Sequence, residues 1–79
     1  MNRLANVGVG DRVRLYGQRF ATGAIEGVVV REKDRMFDVV LDDPQAPKAL
    51  LYDSVGSTHA VVWGVVHYLT SVERLEVAA

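Results

Sequence analysis

The side chains able to do chemistry in this 79-residue chain are few: His59 and His67, with Asp53, Ser54 and Thr70 as candidate partners by type. A hydroxyl, an imidazole and a carboxylate can form a nucleophile–base pair, but such a pair is defined by geometry rather than by composition. Nothing in the spacing of these residues brings them together, and no catalytic residue is assigned. The same histidines could hold a metal only if Asp38, Asp42, Asp43 or Asp53 converged on them. Asp42-Asp43-Pro44 reads instead as turn chemistry, with carboxylates capping backbone N–H groups. Cysteine is absent, which removes disulfides and thiolate zinc sites. Neither a metal nor a cofactor is expected.

A second group, Arg12, Arg14, Tyr16, Arg19 and Phe20, gathers basic and aromatic side chains around one short segment. These are the residue types with which small barrels hold single strands or other ligands. The competing reading is a solvated strand face whose arginines pair with Glu26, Glu32 or Asp38. Nine basic against ten acidic side chains give a net charge of −1, so a general phosphate-binding role has no electrostatic surplus behind it. The run Arg31-Glu32-Lys33-Asp34-Arg35 interleaves its signs and reads as a solvated turn.

The third feature is apolar. Ala60-Val61-Val62-Trp63-Gly64-Val65-Val66 does not alternate, whereas a strand with one wet face should. A barrel interior can cover only one side of it, so the other side must meet either the Pro44–Ser57 segment or a second protein molecule. Val61, Trp63, Val65, Val66 and Tyr68 are therefore the candidate protein-interaction residues, with Trp63 as anchor.

These groups need elements to position them. Gly8-Val9-Gly10-Asp11 is a turn signal, and Asp11 to Tyr16 alternates as a half-buried strand. Ala24 to Val30 is a second strand, with Gly27 marking a bulge or bend. Met36 to Leu41 is a third. Pro44 to Ser57 is expected to be irregular, with Ala46 to Asp53 forming either a helical turn or two or a wandering loop. His59 to Leu69 is one bent strand or two strands meeting at Trp63-Gly64. Thr70 to Val72 suits a 3₁₀ turn, and Arg74 to Val77 a closing strand. Short strands between glycine turns, with no amphipathic helix, predict an all-β fold: one SH3-like small barrel of about five strands over residues 1–79, with an irregular insertion near residues 44–57. The first eight residues lack the apolar stretch of a secretory signal, and the Ala60–Val66 run is too short to cross a bilayer. A cytoplasmic protein with no membrane partner is expected.

Val9-Gly10-Asp11-x-Val13-x-Leu15, followed by Gly17, Gly23, Gly27 and Val28, resembles the first hairpin of SH3-like barrels such as KOW and Tudor-type modules. Gly8-x-Gly10-Asp11-Arg12-Val13-Arg14 and then Gly23-x-Ile25-x-Gly27 is similar to the plasmid-borne type II dihydrofolate reductases, over residues 8–41 and more weakly 65–77. That resemblance implies an SH3-like barrel, self-association, and an NADPH-dependent reductase whose pore is lined by a Val-Gln-Ile-Tyr tetrapeptide from four copies. Here the matching residues are Val65-Val66-His67-Tyr68, with Val66 in place of glutamine, and Leu15 stands where the family carries lysine.

The reading that results is a non-enzymatic protein–protein binding or assembly module, either a homo-oligomer or the receiver of a protein partner. Its size and its likeness point to a phage or mobile-element origin. A nucleic-acid-binding barrel and a type II reductase-like enzyme are the alternatives.

Overall fold

Residues 12–16 alternate between charged or aromatic and aliphatic side chains, and in an extended chain that alternation sorts them onto opposite faces. In the computed structural model, which describes residues 7–54 and 57–75, they form β1 (Arg12–Gly17), with Val13 and Leu15 fully buried and Arg12, Arg14 and Tyr16 on the outside. β2 (Ala24–Lys33), β3 (Met36–Leu41), β4 (Lys48–Ser54), β5 (Ser57–Val62) and β6 (Val65–Leu75) follow. Each strand pairs antiparallel with the next, and β6 returns to pair with β1, closing a six-stranded barrel. Closure removes the free edges that would otherwise invite aggregation. The described residues contain no helix, and hence none long and apolar enough to cross a membrane.

The all-β small barrel is as the sequence predicts, but with six strands rather than about five. The extra one is β4. The segment expected to be an irregular insertion turns at 43–47 and then runs extended, pairing Leu51 with Phe37 on one side and with Ala60 on the other. It is a full member of the sheet and covers nothing. The Trp63-Gly64 alternative of two strands holds, and residues 70–72, expected to be a 3₁₀ turn, continue β6 opposite β1. Residues 76 and 77 of the expected closing strand lie outside the described residues.

The core is built by inward positions from all six strands: Leu15, Leu51, Val13, Val29 and Val39 are its largest fully buried members. Val7 and, from the β1–β2 loop, Phe20 pack against the same cluster. Gly27 is not itself the bulge. It is a point where β3 leaves no room for a Cβ on β2, and the register shift falls three residues later, between Val29 and Arg31. Val30, the residue left over there, is exposed.

Candidate interaction face

Antiparallel partners share a face, so the register alone lists what the barrel shows outside. Asp38 pairs with Leu50, Leu50 with Val61, and Val61 with Val66. One step nearer the Trp63 turn, Val40 pairs with Lys48, and Val30 bulges toward the same surface. The result is a continuous apolar band across β2 to β6. Val30 (50%), Val40 (43%), Leu50 (36%) and Val66 (39%) are all substantially open to solvent. A depression of about 610 Å³ runs along it, lined by Val30, Val40, Leu50, Val61 and Gly64 and also by the charged Asp38 and Lys48. Monomeric proteins seldom expose large contiguous apolar patches without a use for them.

Trp63 sits at the end of this band, 75% exposed. The β5–β6 connection is a two-residue turn in which Trp63 has φ 55° and Gly64 φ 71°. Two successive positive φ values suit a tight hairpin and favour Asn-Gly. A bulky aromatic side chain in that conformation costs about 1–2 kcal/mol. An indole that is both strained and unburied lowers the stability of the lone chain, which is understandable if another surface receives it. Trp63→Asn is accordingly expected to raise the thermal midpoint of the isolated chain. A lowered midpoint in a melting experiment would show that the turn is not strained.

Of the five residues singled out for protein interaction, Val61 and Val66 lie directly opposite one another on the outer face. Tyr68 continues that face along β6, and Trp63 caps the hairpin. Val65 pairs with the buried Val62 and so belongs to the inner side, where it is exposed only because it lies at the rim. Sequence reading missed Val30, Val40 and Leu50, which come from three other strands.

The five candidate ligand-binding residues separate into two groups. Arg12, Arg14 and Tyr16 stand on the outer face of β1, amid carboxylates. Arg12 pairs with Asp42 and, at 3.7 Å, with Glu26. Arg14 donates to Glu26 at 3.1 Å and reaches Glu73 at 3.5 Å, while the Tyr16 hydroxyl donates to Glu73 at 2.8 Å. The Arg14 guanidinium is raised above its usual pKa, first by its hydrogen bond to the Tyr16 oxygen and then by Glu26. This is the solvated, acid-paired strand face, with Glu26 as its hub; neither Glu32 nor Asp38 takes part. Arg19 and Phe20 leave the strand after Gly17. Phe20 turns onto the core and stacks on His67 at 4.6 Å, while Arg19 remains exposed at the barrel mouth.

The histidines do not meet. His67 pairs with the fully buried Ala60 and shares its inner side, and His59 pairs with Tyr68 on the outside. Both leave Nδ1 buried without a hydrogen-bond partner among the described residues. Asp53 is buried on the inner side with Thr58, whose hydroxyl is 3.4 Å from its carboxylate. Among the described residues no three His, Asp or Glu side chains converge as a metal site would require.

No family model, curated protein or solved structure matches this chain. The site is read from its own geometry.

Proposed function

We propose that this chain is a non-enzymatic assembly module whose partner is a second copy of itself, docked on the outer face of β3 to β6. The observation that carries this reading is the apolar band from Val30 through Leu50 and Val61 to Val66, ending in the exposed indole of Trp63. No other segment of the described chain lies over it.

Charge supports a second copy as the occupant. A two-fold interface must be self-complementary, so that whatever one copy presents the other receives. The band carries one acid, Asp38 beside Leu50, and one base, Lys48 beside Val40. Neither takes part in an ion pair among the described residues, unlike the arginines of β1 and Arg74. A half-turn between copies would set each against the other's opposite. A standard interface takes about 800 Å² from each partner, roughly one seventh of this chain's 5379 Å² of surface. At about 25 cal/mol per Å² of apolar surface removed from water, covering the band supports a core that is small for lack of chain.

Sedimentation velocity over a concentration series tests the proposal. A concentration-dependent dimer or higher even oligomer is expected, and a strict monomer up to high micromolar concentration overturns it. The reductase alternative has less support: Leu15, at the position of the resembled family's lysine, is fully buried in the core, and Val66 offers no hydrogen bond where that family has glutamine.

A further inference from the structure

We infer that the barrel surface beside the tip of the β2–β3 hairpin is a stacking platform for single-stranded nucleic acid, a site that adjoins the assembly band and shares Tyr68 with that face. The inference begins with the run Arg31-Glu32-Lys33-Asp34-Arg35, whose three cations and two acids alternate in the sequence but do not share one face in the strand. Glu32 pairs with Phe37, which is buried, so its carboxylate leaves on the inner side; its Oε2 lies 4.0 Å from where a Cβ on Gly8 would stand. Arg31 pairs with Asp38 and Lys33 with Met36, both on the outer face. Period-two geometry has put Glu32 on the inner side and Arg31 and Lys33 on the outer one, with Asp38 opposite Arg31 and Asp34 in the turn. Arg35 follows in the turn and is exposed. Arg31, Lys33 and Arg35 form no ion pair among the described residues, whereas the arginines of β1 are paired with carboxylates.

Lys33 and Arg35 border the barrel's row of aromatic side chains. Met36 pairs with Tyr52, Tyr52 with His59, and His59 with Tyr68, all on the outer face. The Tyr52 and His59 rings stack at 5.0 Å and 13°, and Tyr68 tilts against His59 at 6.1 Å. Tyr68 is 70% exposed. Between this row and the hairpin tip lies a depression of about 400 Å³, walled by Lys33, Arg35, Met36, Tyr52 and His59 together with two acids, Asp34 in the turn and the buried Asp53. Flat π surfaces in register with free cations are what single-stranded nucleic acid requires: bases stack on the rings, and phosphates lie against Lys and Arg. A duplex keeps its bases paired and cannot use the rings. The overall charge of −1 confines such binding to a few phosphates and makes it weak and salt-sensitive.

Fluorescence anisotropy of a labelled oligothymidylate dodecamer and of a duplex of the same length, at low salt, tests the site. Saturable binding of the single strand is expected, about tenfold or more tighter than the duplex, with a log–log salt slope of about −2 if three phosphates are held. The double variant Lys33→Glu, Arg35→Glu should lose about tenfold or more, as should Tyr52→Leu, which keeps an apolar side chain but removes the stacking ring. Circular dichroism of both variants checks that the barrel persists. Absence of single-strand binding, equal affinity for the duplex, or folded variants that bind like the native chain would each overturn the inference.

Discussion

Gly27→Ala is expected to cost this protein most of its folding stability. A Cβ at that position would stand 2.4 Å from the carbonyl oxygen of Val40, 2.8 Å from Val39 Cγ1 and 3.0 Å from the Cα of Leu41. Two of the three obstacles are backbone, so no rotamer change relieves the clash, and β2 must be pried from β3. Overpacking of a tight interior costs about 1–3 kcal/mol even where side chains can yield. Here the obstacle is the strand ladder itself, and the expected loss is about 3 kcal/mol or more. A domain of this length holds only about 4–12 kcal/mol in total. Urea titration monitored by circular dichroism should show a sharply lowered midpoint or no folded baseline. A midpoint equal to that of the native chain would mean that the two strands do not approach as closely as described.

Val61→Glu is expected to abolish self-association while leaving the protomer folded. Val61 lies in the middle of the apolar band, between Leu50 and Val66, and its side chain supports the outer face rather than the core. Two-fold pairing would bring two copies of the new carboxylate into a drying interface, and an unpaired buried charge costs about 3–5 kcal/mol. The dimer constant should weaken by about a hundredfold or more, as read by sedimentation velocity. Unchanged association would remove β5 from the interface. A charge exchange separates a second copy from any other partner. Asp38→Lys or Lys48→Asp alone should weaken pairing, and the two together should restore it, because the half-turn sets these positions against each other. Failure of the double exchange to restore pairing, with each single change harmful, would defeat the reciprocal arrangement.

Much of this architecture was legible in the residues. The alternation of Val13 and Leu15 with Arg12, Arg14 and Tyr16 specified β1 and both its faces, and Trp63-Gly64 marked the β5–β6 turn. β4 was hidden because Pro44 and Pro47 precede it and its two faces read alike: Ala49 and Leu51 inside, Leu50 and Tyr52 outside. Asp53 then closes the inner row with a carboxylate where the pattern calls for an apolar residue. The candidate face was legible only where it ran along the chain, at Val61 and Val66. Val30, Val40 and Leu50 join it through pairing across strands, which no local pattern reveals. Linear neighbourhood also misled in the opposite direction. Arg12 to Phe20 looked like one cluster, but Gly17 ends the strand and sends Phe20 to the core, away from the arginines. The Arg31–Arg35 run looked balanced because a string of letters has no sides.

The seam between β1 and β6 has a consequence of its own. Five of the six strand junctions join neighbours in the chain and can zip up hairpin by hairpin, whereas the sixth joins Arg12 to Leu75. Such a distant contact repays its loop-closure entropy only once the intervening strands are laid down. Losing the final strand would therefore not yield a smaller version of the same vessel. It would bare the flanks of β1 and β5 together, turning a self-contained ring into an open ribbon with two adhesive margins.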